Sequence, residues 1–190
     1  MQPRPPIIVM DLEWTAWDGS RKRCWTGPGE EMEIVQIGAV KLADTPELPE
    51  IGAFEVLIKP RINSLLDDYF VALTGISQDR LNRDGMDLKP ALADFAEFVH
   101  DAVEICGFGD ELSHIVWNCQ LYGMVNPLAR ATCHDIRDSI IKLLDAEPDL
   151  DSSELPQAMN FKAPGRAHQG LADSRCVAEA LRRARAAGKF

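Results

Sequence analysis

The hydrophobic pattern of the first sixty residues predicts three strands. Residues 7–12 form a run dominated by β-branched and apolar side chains, which is typical of a central strand buried on both faces. Residues 33–42 resume strand character, and residues 53–58 alternate between apolar and polar positions before Pro60 stops the strand. The polar stretch 18–31 is rich in glycine and charge and is predicted as a loop. Three strands in succession predict a meander.

The hydrophobic period changes after Leu65, and helices then alternate with strands. Residues 88–103 place apolar side chains at helical spacing, with Pro90 suited to the first turn. The later predicted elements are strand 104–108, a helix from Asp110, strand 131–136, helix 137–144, a connection over 147–154 and helix 170–187. Together the elements predict an α/β fold, a mixed five-stranded sheet flanked by helices, with sites at the carboxyl ends of its strands.

Length and charge narrow the class of protein. The 190 residues, 46% of them hydrophobic, suit a single domain covering residues 1–190. Acidic residues number 30 against 20 basic ones, and the net charge of −10 argues against a protein that coats nucleic-acid duplexes. A nucleic-acid enzyme is still compatible with this charge, because a carboxylate cluster that holds divalent cations is acidic until the metal binds.

The apolar runs and the cysteines indicate where in the cell the protein is expected to be. No apolar run approaches the roughly 20 residues that cross a bilayer, and the N-terminal residues lead into a short strand. We therefore expect a soluble, cytoplasmic protein without membrane association. The 5 cysteines are scattered and form no C-x-x-C pair, so neither a zinc site nor a disulfide framework is indicated.

Two carboxylates stand at the end of the first predicted strand. Asp11 and Glu13 are separated by one residue, so the period of two in a strand directs both side chains to one face. Two unit charges about 4 Å apart repel by roughly 4 kcal/mol at an effective dielectric near 20, and a divalent cation removes that repulsion. Such pairs also occur at solvated strand ends, so the pair alone is a weak signal.

Two further segments carry candidate ligands. Asp110 follows the strand 104–108 and begins a helix, where Asp is also a preferred N-cap. His168 lies in a loop before Asp173, an acid in the first turn of the last predicted helix. Imidazole, with an ordinary pKa near 6.5, can accept a proton from water, although a lone loop histidine is usually unremarkable.

The joint pattern is stronger than any one of its parts. Asp11, Glu13, Asp110 and Asp173 supply carboxylates from three separated segments, each at a predicted strand end or helix start. Oxygen ligands with octahedral geometry indicate Mg²⁺ or Mn²⁺ rather than zinc. Two such ions about 4 Å apart activate water and stabilise the leaving oxygen in phosphodiester cleavage. The pattern therefore predicts a site for two divalent ions.

At these segments the chain resembles the DEDDh 3′→5′ exonucleases, a branch of the ribonuclease H-like fold. The similar motifs are residues 10–15 (Met-Asp-Leu-Glu-Trp-Thr), residues 107–110 (Gly-Phe-Gly-Asp) with residues 119–122, and residues 168–173 (His-Gln-Gly-Leu-Ala-Asp). Residues 33–40 and 73–77 also resemble this family, in particular its subgroup of enhancer-of-RNA-interference-type exoribonucleases and bacterial sporulation-inhibitor-like proteins. The motifs occur in the family's order over nearly the whole chain.

The resemblance implies a role for each matched residue. Asp11, Glu13 and Asp173 would bind the catalytic metal ion, and Asp11 would also bridge to a second ion. Asp110 would act largely through a water molecule on the metal, and His168 would be the general base. Members of the family remove nucleoside monophosphates from a free 3′ end. The resemblance therefore implies this activity, a ribonuclease H-like fold, and two Mg²⁺ or Mn²⁺ ions as cofactors.

Substrate contacts are predicted around these motifs. Trp14 follows the catalytic Glu13, and its indole either stacks on the terminal base, worth roughly 1–3 kcal/mol, or belongs to the core. The basic run 21–23 either holds phosphates at the mouth of the site or is a solvated charge run. The predicted substrate-binding residues are Leu12, Trp14, Thr15, Arg21, Lys22, Arg23, Gly75 and Ile76.

The leading functional hypothesis is a metal-dependent 3′→5′ exonuclease whose partner is single-stranded RNA or DNA with a free 3′ end. One alternative is a regulatory binding module that keeps the fold without needing catalysis. Another is a proofreading subunit that works beside a polymerase. Nothing in the sequence reads a 2′-hydroxyl, so the RNA and DNA alternatives both stay open.

Overall fold

A five-stranded mixed sheet in the order β3-β2-β1-β4-β5 organises the chain. It is seen in a computed structural model that describes residues 4–102, 104–145, 147 and 150–188. The strands are β1 (Ile7–Trp14), β2 (Ile34–Leu42), β3 (Glu50–Leu57), β4 (Glu104–Gly107) and β5 (Cys133–Asp135). The strands β1, β2 and β3 form the predicted antiparallel meander, and β4 and β5 extend the sheet in parallel with β1. The predicted mixed sheet is thereby confirmed.

Helices cover the sheet on both faces. They are α1 (Asp68–Thr74), α2 (Gln78–Asp84), α3 (Leu88–Val99), α4 (Glu111–Leu121), α5 (Arg137–Leu144), α6 (Leu155–Ala158) and α7 (Gly170–Ala186). Within the described ranges, no helix has the length and apolar character needed to span a membrane.

Several predicted segments differ from the observed elements. The strands predicted over 53–58 and 131–136 are observed as Glu50–Leu57 and Cys133–Asp135. The helix predicted over 88–103 ends at Val99, and residue 103 lies outside the described residues. The predicted connection 147–154 contains a 3-10 turn, Ser152–Glu154, and residues 148 and 149 lie outside the described part. The terminal residues 1–3 and 189–190 of the predicted domain are likewise outside it. This turn places Ser152 next to β1, where its hydroxyl donates a hydrogen bond to the Asp11 carboxylate.

The alternation of β1 decides which helices its side chains meet. Ile8, Met10 and Leu12 join the core cluster that includes α3 and α4. Ile7 and Val9 join the cluster on the other face, against α7. Successive side chains of a strand point to opposite faces. The carboxylates of Asp11 and Glu13, which continue the odd-numbered series, therefore face the side of the sheet that α7 covers.

The start of α7 packs directly on the backbone of β2. A Cβ at Gly38 would lie 2.0 Å from the carbonyl carbon of Gly170, so no side chain fits between helix and strand. The Ser174 hydroxyl donates to the Gly38 carbonyl at 2.8 Å, and the Gly170 amide donates to the Gln36 side chain at 2.8 Å. These contacts fix the first turn of α7, and with it Asp173, against the sheet.

A buried glutamate fixes the chain that leads into α1. The Glu33 carboxylate accepts hydrogen bonds from the backbone amides of residues 61–63 at 2.6, 2.8 and 2.6 Å. It also accepts one from the Tyr122 hydroxyl at the end of α4. Because Glu33 is fully buried, these bonds replace the water that the carboxylate loses on folding. They join β2, α4 and the segment before α1.

Gly38→Ala is expected to destabilise the fold by about 3 kcal/mol or more, because the new methyl group meets backbone that cannot move aside. The melting temperature should fall by roughly 10 °C in thermal unfolding followed by circular dichroism. The matched control is Gly52→Ala on β3, where the added Cβ would have its nearest neighbour at 3.6 Å. Equal melting temperatures for the two variants would contradict the close contact between β2 and α7.

Candidate active site

A cavity of about 590 Å³ opens where the parallel strands β1 and β4 end. Its walls include every residue predicted to be catalytic: Asp11, Glu13, Asp110, His168 and Asp173. These residues come from β1, from the residue before α4, from the loop before α7 and from the first turn of α7. The fold thus brings the three separated motifs to one place.

Three buried carboxylates form the floor of this cavity. Asp11, Glu13 and Asp173 are 7%, 9% and 1% exposed. Glu13, His168 and Asp173 each offer a ligand atom, and these atoms lie within 4.8 Å of one another. Asp11 Oδ1 accepts a hydrogen bond from Ser152 Oγ at 3.2 Å. Glu13, His168 and Asp173 are therefore close enough together to contact one ion.

Burial and mutual repulsion raise the pKa values of these carboxyls. Burial is the largest cause for Asp11, followed by the negative charges of Glu111, Glu13 and Asp173. Burial also raises the pKa of Glu13, and Asp173 adds to the effect. The pKa of Asp173 is raised to about 7, mainly by burial, against two backbone hydrogen bonds that lower it. Such a cluster favours either protons or a cation.

The donor atoms fit a hard divalent ion. Oδ1 of Asp173 is buried and has no hydrogen-bond partner among the described residues. Carboxylate oxygens of this kind are the ligands that Mg²⁺ and Mn²⁺ prefer. Burial lowers the pKa of His168 from its ordinary value, so this imidazole is neutral near pH 7 and can accept a proton. The site therefore combines ion ligands with an adjacent proton acceptor.

Asp110 is both an N-cap and part of the cavity wall. Its carboxylate accepts a hydrogen bond from the Ser113 backbone amide at 3.3 Å and another from the Ser113 hydroxyl. The N-cap interpretation therefore describes an interaction that the structure contains. Asp110 is exposed and lines the cavity, and its predicted contact with metal stays a prediction.

Glu111, the residue after Asp110, is a cavity residue that the sequence patterns did not single out. It is only 6% exposed, and its Oε2 has no hydrogen-bond partner among the described residues. Its pKa is raised to about 8 by burial first and then by the charges of Asp135 and Asp110, whereas Arg137 lowers it. Its place in the first turn of α4, next to a candidate ligand, is the signal that could have revealed it.

A stacked pair of rings forms another part of the wall. The rings of Trp14 and His114 have centroids 4.3 Å apart and an angle of 23° between their planes, and both residues line the cavity. Trp14 is only half-buried, although it also packs against the core. His114 was not predicted, but it stands one helical turn after Asp110 on α4, which places both on the same face. The pair presents an aromatic surface beside the carboxylates.

Leu12 and Arg21 also line the cavity, as predicted for substrate-binding residues. The Arg21 guanidinium pairs with the Asp151 carboxylate. Its positive charge also lowers the pKa of His168, to a smaller extent than burial does. Arg21 therefore brings a positive charge to the part of the cavity near His168.

The other predicted substrate-binding residues do not line this cavity: Thr15, Lys22, Arg23, Gly75 and Ile76. Thr15 is buried, and its hydroxyl accepts a hydrogen bond from the Glu33 amide at 3.0 Å. Arg23 pairs with Glu30 inside its own loop. Both side chains hold local structure rather than facing the site.

Structural roles also account for the segment around Gly75. The Gly75 amide caps α1 by donating to the Val71 carbonyl at 2.9 Å, and Ile76 is fully buried in an apolar cluster. Lys22 is exposed. The contribution of α1 to the cavity comes instead from Tyr69 and Leu73.

Comparison with known proteins bears on this site. A family model described as Exonuclease matches residues 8–181. The chain is 24% identical to human (Homo sapiens) ERI1 exoribonuclease 2 over 196 residues, an alignment that covers 90% of this chain and 27% of that protein. The chain thus spans about a quarter of the length of this curated relative.

Solved structures share the fold. The nuclease domain of 3′hExo, described as a DEDDh family member bound to rAMP, has a TM-score of 0.81 at 23% identity, covering 97% of this chain and 93% of that one. Exonuclease I of E. coli in complex with a dA16 oligonucleotide has a TM-score of 0.66 at 18% identity, covering 96% and 41%.

The stability of the metal-free protein is expected to fall as the pH rises from about 5.5 to 8. The raised pKa values of about 7 for Asp173 and about 8 for Glu111 mean that the folded state keeps protons that the unfolded chain releases near pH 4. The raised pKa values therefore add to the free energy of unfolding at low pH, and this contribution is lost as the pH rises to the folded-state pKa values. Melting temperatures measured in EDTA between pH 5.5 and 8 test this expectation.

Asp173→Asn is the variant that checks the cause of this pH dependence. Removing one of the buried acids should flatten the fall in melting temperature, whereas Asp94→Asn, at an exposed position of α3, should leave the slope unchanged. A wild-type melting temperature that is constant or rises between pH 5.5 and 8 would argue against buried, repelling carboxylates.

Proposed function

Because the chain belongs to the Exonuclease family, whose model matches residues 8–181, we propose that it is a 3′→5′ exonuclease. It acts on the free 3′ end of single-stranded RNA or DNA, uses two Mg²⁺ or Mn²⁺ ions, and releases nucleoside 5′-monophosphates. The single observation that carries this proposal is the convergence of three buried carboxylates and a histidine on one cavity.

The roles follow from the placement of the side chains. Asp11, Glu13 and Asp173 would hold the ions, since these residues are buried and line the cavity. Bound divalent ions lower the pKa of water and stabilise the leaving oxygen of a phosphodiester. His168 takes the proton from the attacking water, because burial keeps its imidazole neutral. Asp110 stands at the rim, where it can orient water.

The walls of the cavity support a single-stranded substrate. The stacked Trp14 and His114 rings offer a surface on which an unpaired terminal base can pack, and Arg21 offers a positive charge to a phosphate. A volume of about 590 Å³ is suitable for one terminal nucleotide. The related structures were solved with rAMP in one case and dA16 in another, which supports testing both RNA and DNA.

Purified protein with Mn²⁺ should shorten 5′-labelled RNA or DNA oligomers one nucleotide at a time from the 3′ end. Asp11→Asn and Asp173→Asn should reduce the rate by about 10³-fold or more, since each removes an ion ligand. His168→Ala should reduce it by about 10²–10⁴-fold, the range for loss of a general base. Gel electrophoresis resolves the products. The rates of shortening are compared between single- and double-stranded oligomers.

The control for these variants is Asp94→Asn, which removes an exposed carboxylate from α3 and should cleave like the wild type. Wild-type protein that binds no Mn²⁺ and leaves every oligomer intact would overturn the proposal and favour the regulatory binding module. Equal activity of Asp11→Asn and wild type would overturn the assigned site.

Trp14→Ala is expected to raise the KM for an oligomer about tenfold with a smaller change in kcat, because base stacking on an aromatic ring contributes roughly 1–3 kcal/mol. The matched control is Trp117→Ala, since Trp117 lies on α4, is 50% exposed and does not line this cavity. Steady-state kinetics on a short oligomer separates the two constants. An unchanged KM for Trp14→Ala would assign the indole to the core instead.

A further inference from the structure

Glu111 is the cavity residue whose position has no structural explanation. The two oxygens of its neighbour Asp110 are engaged by Ser113, whereas Oε2 of Glu111 is buried and has no hydrogen-bond partner among the described residues. A carboxylate that is 6% exposed and unpartnered is costly in a folded protein unless a ligand compensates it. Glu111 also lines the cavity, so its carboxyl group lies beside whatever binds there.

The backbone around Glu111 makes room for its side chain to fold back toward β4. A Cβ at Gly107 would lie 2.7 Å from Glu111 Cγ, so any larger residue at position 107 would displace the glutamate. Gly107 is the last residue of β4, the parallel neighbour of β1. The Glu111 side chain therefore packs over the end of β4, next to the strand end that carries Asp11 and Glu13.

We propose that Glu111 is an additional metal-binding carboxylate of this site, one that strengthens the binding of the divalent ions held by Asp11, Glu13 and Asp173. The proposal rests on the proposed function in so far as that function places ions in the cavity. Glu111 packs over the end of β4, the strand that pairs in parallel with β1, and it lines the same cavity as Asp11, Glu13 and Asp173.

The stabilisation gained from bound metal provides the test. Glu111→Gln keeps the shape of the side chain and removes the carboxyl group that would bind an ion. With Mn²⁺ its gain in melting temperature should be smaller than that of the wild type, because an ion ligand is gone.

Isothermal titration of the metal-free protein with Mn²⁺ gives the direct measurement. Glu111→Gln should raise the Kd about tenfold or more, and Glu111→Met, which has similar length and no charge, should do the same and serves if the glutamine variant does not fold. Glu97→Gln, an exposed position on α3, should bind Mn²⁺ like the wild type.

The outcomes separate this inference from the proposed function. Wild-type protein that binds Mn²⁺, together with a Glu111→Gln variant of equal affinity, overturns only the role of Glu111. Wild-type protein that binds no Mn²⁺ overturns the metal-dependent function itself. A raised Kd together with a smaller gain in melting temperature from Mn²⁺ supports the added ligand, since a purely structural glutamate would change the melting temperature in EDTA rather than the gain from Mn²⁺.

Discussion

The repulsion among buried carboxylates at the end of β1 is the constraint on which the rest of the structure depends. Asp11, Glu13, Glu111 and Asp173 are each less than 10% exposed, and burial disfavours their charged forms. Packing elsewhere must offset the free-energy cost of burying these carboxylates. The sheet and its helices provide this packing in two apolar clusters, one on each face of the sheet. A fold that tolerates such crowding without a cation gains affinity for one, since the ion removes the repulsion that packing otherwise has to overcome.

The close packing of α7 on β2 fixes the positions of the buried carboxylates relative to one another. The contact between Gly38 and Gly170 leaves no space for a side chain, and Ser174 binds the carbonyls of both glycines. Asp173 then has one position relative to β1. A looser helix would let the carboxylates separate and relieve their repulsion, so the close packing is what keeps the ligand atoms within reach of one ion.

Local periodicity explains how much of this could be predicted from the sequence. The period of two in β1 placed Asp11 and Glu13 on one face. The resemblance to exonucleases, a family that the match over residues 8–181 confirms, linked them to His168 and Asp173. Ser152 meets Asp11 across 141 positions, and no pattern predicts such a contact. The sequence does not distinguish the three residues of the basic run 21–23. In the structure only Arg21 of this run lines the cavity, whereas Arg23 is paired with Glu30.

The acidic charge of the chain and its proposed substrate are compatible for a physical reason. With a net charge of −10, the surface as a whole repels a phosphate backbone, and arginines of α7 are paired with acids, as Arg175 is with Glu50 at 2.8 Å and Arg185 with Asp44 at 2.7 Å. Under the proposed function attraction must therefore be local, at the cavity, where two divalent ions would neutralise the carboxylates and where Arg21 and the aromatic wall are also found. Such an arrangement would favour the end of a strand over its length, because an end can enter the cavity and approach the buried carboxylates.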